Sequence, residues 1–182
     1  IRLITLGRIA LLDADGADLG IAPQPLAILA YLAVRGRAGG VRRDEFMAMF
    51  WPESDTEHAR TALRAALYRL RQSLGEDLTA SHGPGALALA DDRISCDATA
   101  FEDAFERAEW DTAMECFQGA FLPGLHVSGA AGFDEWHEAE GRRLAKLANS
   151  ACWELAEWEE QAGEATHAAH WAARAVGLDP YS

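Results

Sequence analysis

Between residues 55 and 74 the apolar positions recur with the period of an α-helix. At about 100° per residue, one face of this helix collects Ala59, Leu63, Ala66, Leu67, Leu70 and Leu74. We expect that face to be buried. Ser54 or Asp55 can cap the start of the helix, because a short polar side chain accepts hydrogen bonds from free backbone N–H groups. Gly75 provides the stop.

The remaining surface of this helix is basic and polar. Its outward and flanking residues are Arg60, Thr61, Arg64, Ala65, Tyr68, Arg69, Arg71 and Gln72. Arg69 lies on the flank opposite to the other three arginines. Arginines separated by small alanines fit a phosphate-lined groove, where Arg can also pair bidentately with guanine. The alternative is a solvated helix whose arginines pair with nearby carboxylates.

Shorter elements are predicted on both sides of this helix. Residues 1–21 have the pattern of short strands, and Pro23 and Pro25 introduce an apolar helix over Leu26–Val34. A second helix is predicted over Arg42–Phe50, followed by Trp51 packed under a turn. After the amphipathic helix, S-H-G-P-G separates T-A from the runs A-L-A-L-A and R-I-S-C, and this pattern predicts a terminal β-hairpin. Strands, three helices and a closing hairpin are the pattern of a winged helix-turn-helix.

From residue 97 onward the period is helical throughout. Asp97 or Thr99 can cap a first helix and Asp111 a second one. A long helix is predicted over Phe133–Gln161, with Glu164–Val176 as its antiparallel neighbour. We expect the tryptophans of these helices to be core or inter-helix contacts: Trp136, Trp153, Trp158 and Trp171.

The last helical pair resembles a tetratricopeptide unit. The positions that match that repeat are Leu155, Ala156, Gly163, Ala168, Ala175 and Pro180. The match is partial, because the aromatic positions of the repeat hold Cys152, Glu159 and Ala172. Another helical pair would be expected to stack where the chain stops. We therefore expect a fragment truncated at its C-terminus.

Charge is divided unevenly along the 182 residues, whose net charge is −13. Residues 1–96 hold 11 Arg against 12 Asp or Glu, whereas residues 97–182 hold 5 basic against 17 acidic residues. Within residues 35–71, 8 Arg face 5 acidic residues. A net negative charge would ordinarily disfavour a polyanionic partner. A locally basic element beside an acidic helical half would bind DNA through one face only.

Several classes of protein are disfavoured by the sequence. No apolar run approaches the ~20 residues needed to cross a bilayer, and no secretion signal is present, so we expect a cytoplasmic protein. Cys96, Cys116 and Cys152 form no C-x-x-C pair, which favours buried thiols over disulfides or zinc. Hydrophobic residues make up 49% and charged residues 25%, as in ordinary globular proteins.

No catalytic or metal-binding motif stands out either. The motifs G-x-S-x-G, G-x-x-x-x-G-K and H-E-x-x-H do not occur. His167, His170 and Glu164 have a spacing that could bind a metal, but no fourth ligand is visible. We expect a protein that is not an enzyme and needs no cofactor or metal.

Ordered motifs along nearly the whole chain carry a family resemblance. They are L-G at 6–7, P-L-A-I-L-A-Y-L-A at 25–33, R-R-D-E-F at 42–46, F-W-P-E at 50–53, A-R-T-A-L-R-A-A-L-Y-R-L-R-Q-S-L-G at 59–75, C-D-A-T-A-F at 96–101, F-L-P-G at 121–124, E-W at 135–136 and R-R-L at 142–144. In this order and spacing the chain resembles the Streptomyces antibiotic regulatory protein type.

The resemblance implies a mainly α fold with a small β component. An OmpR/PhoB-like winged helix-turn-helix would occupy residues 1–96, and an all-α, tetratricopeptide-like bacterial transcriptional activator domain would occupy residues 97–182. It implies a transcriptional activator that binds promoter direct repeats in double-stranded DNA, beside a second copy as a homodimer on DNA, and contacts RNA polymerase. No membrane partner is expected.

The resemblance also places residues 55–74 in the major groove as the recognition helix. By position it carries DNA contact to Arg60, Thr61, Arg64, Tyr68, Arg69 and Arg71. Arg42 and Arg43 open the preceding helix and could reach the phosphate backbone, although such residues are often solvated or paired. Arg69 and Arg71 could instead hold the helix to the N-terminal sheet or pair with Asp44 or Glu45.

The wing departs from the family pattern. Such wings usually carry a basic or aromatic residue, whereas this hairpin offers His82, with Arg93 near its base. A second hypothesis is therefore an interaction scaffold, in which the helical repeats bind a protein and the winged helix no longer binds DNA. The net charge and the poor wing favour that alternative.

Overall fold

The computed structural model describes residues 1–74, 79–82, 85–90 and 93–178, which are mainly helical with a small sheet component. The strands are β1 Arg2–Ile4, β2 Ala10–Leu12, β3 Val41–Arg42, β4 Thr79–His82, β5 Ala86–Leu89 and β6 Ser95–Cys96. The helices are α1 Pro23–Arg35, α2 Arg43–Phe50, α3 Thr56–Leu74, α4 Asp97–Glu106, α5 Trp110–Cys116, α6 Ala131–Gln161 and α7 Ala165–Leu178. The predicted fold class is thereby confirmed at this coarse level.

Two small sheets flank the first three helices. One sheet has the order β2-β1-β6, with β1 antiparallel to β2 and parallel to β6. The other has the order β3-β5-β4 and is antiparallel throughout. The predicted hairpin after α3 is confirmed as β4 and β5.

The R-I-S-C segment was wrongly assigned to that hairpin. It forms β6, whose Cys96 pairs with Leu3 of β1 in the other sheet. This pairing buries Cys96 and Ile94 in the core. It also brings the Asp97 carboxylate to the backbone N–H groups of Thr5 and Leu6, at 2.8 and 2.9 Å.

The central helix α1 is buried along most of its length. Every residue from Leu26 to Ala33 is buried, so the helix is apolar on all sides. It begins one turn before the predicted start, at Pro23, because proline is tolerated where no intrahelical N–H bond is needed.

Helix α3 buries the face that its periodicity predicts. Ala59, Leu63, Ala66 and Leu70 are buried. Of the two candidate caps, Asp55 acts: its carboxylate accepts the His58 backbone N–H at 3.0 Å. The predicted stop at Gly75 lies outside the described residues.

Three predicted caps in the second half are wrong. Asp97 is the first residue of α4, and its carboxylate accepts the backbone N–H groups of Thr5 and Leu6, which directly follow β1. Thr99 donates its hydroxyl to the carbonyl of Cys96 instead of accepting a backbone N–H. Asp111 lies inside the first turn of α5, which has no side-chain cap.

The long helix α6 turns back into α7 through Gly163, whose φ is +85°. The Asn149 amide donates to the carbonyl of Ala175 at 2.7 Å, and His167 lies 3.7 Å from Glu159, so the helices run antiparallel. The tetratricopeptide resemblance of this pair stays a prediction, and Pro180 lies outside the described residues.

The tryptophan prediction is half wrong. Trp136 and Trp171 are partly buried against the core, but Trp153 is 41% and Trp158 62% exposed. Periodicity identifies the apolar positions of a helix but does not say how many of its faces are covered.

Packing crosses the boundary predicted at residues 96/97. Tyr31 of α1 meets Trp136 of α6 with ring centroids 4.8 Å apart, and Phe50 of α2 meets Phe133 of α6 at 5.2 Å. Arg37, which follows α1, pairs with Asp103 of α4. The two halves therefore share one core.

Candidate nucleic-acid interface

Helix α2 packs through two aromatic side chains against α1. Phe46 and Phe50 of α2 are fully buried and stack at 4.8 Å, and Tyr31 of α1 meets both rings edge-on. Residues 51–55 then connect α2 to α3. Because α2 is held at its apolar face and α3 at four buried positions, their polar faces stay at the surface.

Basic side chains from the end of β3, from α2 and from α3 surround a cleft of about 520 Å³, which the hairpin borders with Gly85. This arginine cleft is defined by Arg42, Arg43, Asp44, Arg60, Arg64 and Gly85. Gly85 has a φ of +90°, which favours glycine, and its carbonyl accepts the Arg43 backbone N–H at 2.9 Å. The hairpin and the start of α2 are thus tied together at the cleft.

Two of the four arginines in the cleft have carboxylate partners. Arg42 makes a bidentate pair with Asp44, at 3.0 and 2.8 Å. This contact lowers the pKa of the Asp44 carboxyl to about 2, so it stays charged near neutral pH. Arg60 donates to Glu57 at 2.7 Å across one turn of α3. Such exposed pairs are weak and leave both arginines open to exchange for a stronger anion.

Arg43 and Arg64 are differently placed. Within the described residues neither guanidinium makes a hydrogen bond or an ion pair. Both line the arginine cleft, one from the start of α2 and one from the exposed side of α3. The predicted site residues Arg42, Arg43, Arg60 and Arg64 are therefore brought together, with one carboxylate, Asp44, among them.

The outward face of α3 carries the other predicted contacts. Thr61 is exposed, and Tyr68 is 62% exposed. Ala65 leaves a gap between them. A ring this exposed adds little to the core.

The predicted alternative for Arg69 and Arg71, pairing with Asp44 or Glu45, is not seen for Arg69. Asp44 is held by Arg42, and Glu45 accepts the Tyr31 hydroxyl at 2.9 Å and lies 3.9 Å from Arg35. Burial and the Glu45 carboxylate raise the pKa of Tyr31 to about 12. Arg71 is exposed on the same flank of α3 as Arg64.

Arg69 faces a second cleft of about 690 Å³ on the other flank of α3. This loop cleft is defined by Pro23, Tyr68, Arg69, Gln72, His126 and Ser128. His126 and Ser128 come from the loop before α6, in the acidic half. Sequence reasoning missed this loop, because its neighbourhood with α3 arises only when the two halves pack.

The wing prediction is tested in part. The strands of the hairpin are described, but the His82 side chain and residues 83–84 lie outside the described part of the structure. Arg93 lies near the hairpin base, because its backbone N–H donates to the carbonyl of Ala90, the residue after β5, at 2.9 Å. Its own carbonyl accepts the N-terminal amino group of Ile1 at 3.1 Å, beside the other sheet.

The thiols and histidines offer no alternative site in the described residues. Cys96 and Cys152 are buried and Cys116 is half-buried, and burial raises the pKa of the Cys96 thiol to about 11. Among the described residues no group of three or more His, Cys, Asp or Glu is arranged to hold a metal ion. In the same ranges, no helix combines the length and apolar character required to cross a membrane.

The chain was also compared with known proteins. No protein-family model matches it, and no curated protein matches it. The function must therefore be inferred from the geometry of the two clefts and from the motifs of the sequence.

Proposed function

We propose that this chain is a sequence-specific DNA-binding transcriptional regulator, in which α3 enters the major groove and the arginine cleft holds the adjacent phosphate backbone. One observation carries the proposal. Arg43 and Arg64 converge on one surface cleft without a neutralising partner among the described residues, and Arg42 and Arg60 join them there.

The order of the elements supports this proposal. A short connection joins α2 to α3, and the β4–β5 hairpin that follows α3 pairs with β3 in front of α2. A winged helix-turn-helix places its second helix in the groove and its hairpin beside the duplex. In that arrangement the arginine cleft, which lies between the hairpin, α2 and α3, would face the sugar–phosphate backbone of one DNA strand.

The overall charge of −13 does not preclude such binding. Affinity for a duplex depends on the potential at the contact surface, where each neutralised phosphate releases condensed counterions. The acidic excess lies in residues 97–182, with 17 acidic against 5 basic residues. It would orient the protein by repelling the duplex from other faces.

Binding of a labelled duplex of random sequence across about 50 to about 200 mM salt tests the proposal. The affinity of the wild-type chain should fall linearly with log salt. Arg64→Ala should flatten that line by about one unit if Arg64 contacts a phosphate, because one fewer counterion is released. If Arg64 reads a base, the variant should instead lose specificity at one position of the site.

Arg107→Ala is the matched control. Arg107 is an exposed arginine that pairs with Glu109 at 2.9 Å in the acidic half, so its removal changes the net charge equally. Wild type and Arg107→Ala should bind alike. Absence of binding by the folded wild-type chain at low salt would overturn the proposal, as would an equal loss of duplex affinity from both substitutions.

The partners proposed by resemblance are a second copy of the chain on direct repeats and RNA polymerase. Selection from a random duplex library should enrich two half-sites in direct repeat, separated by about one helical turn of 10.5 base pairs. Enrichment of a single half-site or of inverted repeats would contradict the proposed arrangement on DNA.

The second candidate function is the interaction scaffold. Exposed Trp153 and Trp158 on α6 favour it, because large apolar side chains at a surface are typical of protein interfaces. A folded chain that ignores duplex DNA at all salt concentrations would support the scaffold over the regulator.

A further inference from the structure

The loop before α6 lines the loop cleft together with α3. Leu125 and Val127 are buried, whereas the alternating residues His126 and Ser128 are exposed. The carbonyl of Val127 also accepts the Ala130 backbone N–H at 3.1 Å. Two buried anchors therefore fix the positions of the two polar side chains in the loop cleft.

The loop cleft and the arginine cleft lie on opposite flanks of α3. Taking Leu63 as the centre of the buried face, Arg64 lies about 100° to one side and Arg69 about 120° to the other. The α3 residues of the two clefts are centred about eight residues apart, or ~12 Å along the axis. A helix in a major groove about 12 Å wide has one phosphate strand on each flank. Two clefts on opposite flanks of α3 would therefore each face the phosphate backbone of one DNA strand.

The chemistry of the loop cleft suits an anion. None of the described residues that line it is acidic, although the loop belongs to the acidic half. Arg69 supplies a cation that makes no ion pair within the described part of the chain. Gln72 and Ser128 supply neutral donors. The Nδ1 atom of His126 lies 3.2 Å from Asp134, so its Nε2 atom is the ring nitrogen left for a ligand.

We propose that the loop cleft binds the sugar–phosphate backbone of the DNA strand opposite to the one at the arginine cleft, so that the acidic half takes part in DNA binding through His126 and Ser128. This inference rests on the proposed function and deepens it. The acidic half is then a contributor to the interface through one loop, in addition to its packing against α1 and α2.

Substitutions at Ser128 test the inference without touching α3. Ser128→Asp places a carboxylate at the phosphate and should weaken duplex binding about tenfold at low salt, with a smaller effect at high salt. Ser128→Lys should strengthen binding and steepen the salt dependence by about one unit. A gain of affinity cannot result from misfolding, so this variant remains informative if the Asp variant is unstable.

Ser150→Asp and Ser150→Lys are the matched controls. Ser150 is exposed on α6 and is not among the residues that line the loop cleft. Both control variants should bind the duplex within about twofold of wild type, because position 150 does not line the cleft and salt screens charges that do not contact the duplex. Equal effects at positions 128 and 150 would overturn the inference.

Ethylation interference on a selected duplex locates the contact. Wild type should show blocked phosphates on both strands. Ser128→Asp should lose a cluster on one strand, and Arg43→Ala should lose a cluster on the other. Loss on the same strand, or no change with Ser128→Asp, would overturn the inference. The proposed function would still stand if Arg64→Ala weakened binding, whereas absence of wild-type binding would overturn both.

Discussion

The two halves of the molecule use arginine in different ways. In the acidic half each of the four arginines has an intramolecular acceptor. Arg107 pairs with Glu109 at 2.9 Å, Arg142 with Glu138 at 3.6 Å, Arg143 with Glu140 at 3.0 Å, and Arg174 donates to the carbonyl of Phe117 at 2.6 Å. In the arginine cleft, Arg43 and Arg64 have no such acceptor within the described ranges.

This difference teaches that the number of arginines does not decide where a polyanion binds. A guanidinium that already donates to a carboxylate is neutralised locally, and moving it to a phosphate requires breaking the first pair. A guanidinium without a partner adds its full charge to the surface potential. Removing an arginine whose carboxylate partners are largely buried, as in the acidic half, should therefore lower stability. Removing an arginine without a partner from the arginine cleft should instead lower duplex affinity.

The largest expected effect concerns Asp97, at the boundary between the two halves. Asp97→Ala removes the acceptor for the backbone N–H groups of Thr5 and Leu6 and for the Thr5 hydroxyl, at 2.6 Å. Thr5 and Leu6 are buried, so the orphaned groups should lower the free energy of unfolding by about 3 kcal/mol. Denaturant unfolding measures this loss. A single transition is expected, and two separate transitions would show that the halves fold independently.

The next effect concerns an arginine of the acidic half. Arg143→Ala should leave the largely buried Glu140 without its cation, remove one of the two cations beside the largely buried Glu102, and lower the free energy of unfolding by about 2 kcal/mol. Arg64→Ala should change it by less than about 0.5 kcal/mol. Thermal or denaturant unfolding of both variants measures the contrast. Equal destabilisation would contradict the division of roles between the halves.

A smaller effect is expected when an arginine of the arginine cleft loses its carboxylate partner. Asp44→Asn removes the carboxylate that holds Arg42 and should strengthen duplex binding about threefold at low salt. The change should vanish at high salt, and unchanged affinity at low salt would show that Arg42 does not contact the duplex.

Lowering the pH in the ordinary range should not mimic that substitution. The Arg42 guanidinium lowers the pKa of Asp44 from 3.8 to about 2. The pair therefore favours the folded state above the unfolded pKa, and this contribution is lost only as the pH falls toward about 2. Duplex affinity measured from about pH 5 to pH 8 should show no step caused by Asp44.

The smallest effect is expected on α6. Trp158→Ser removes a side chain that is 62% exposed, so stability should change by less than about 1 kcal/mol and duplex affinity not at all. Equilibrium unfolding and duplex titration measure both quantities. A loss of duplex binding would place Trp158 in the DNA interface and would contradict the contrast between the two halves.

Local pattern predicts the parts of this structure that depend on local forces. The buried face of α3 follows from the period of its leucines and alanines, and the β4–β5 hairpin follows from alternating runs around a glycine turn. The convergence of Arg43 with Arg64 was within reach of the sequence, because both were candidate contacts on consecutive helices.

Non-local packing explains what the sequence did not reveal. Strand β6 pairs with β1, and Asp97 accepts hydrogen bonds from Thr5 and Leu6, about ninety residues away in the chain. No local propensity encodes that pairing. No motif or periodicity marks His126 in the sequence, and its place beside Arg69 depends on the docking of the two halves. The exposure of Trp158 likewise depends on which helices cover α6.

The contrast between the arginines is tested most directly by two matched double variants in a salt series of duplex binding. Arg43→Ala/Arg64→Ala and Arg107→Ala/Arg142→Ala each remove two positive charges. The first should flatten the slope of log affinity against log salt by about two units, and the second should leave it unchanged. Equal slopes for the two variants would contradict the assignment of the arginine cleft as the phosphate-binding site.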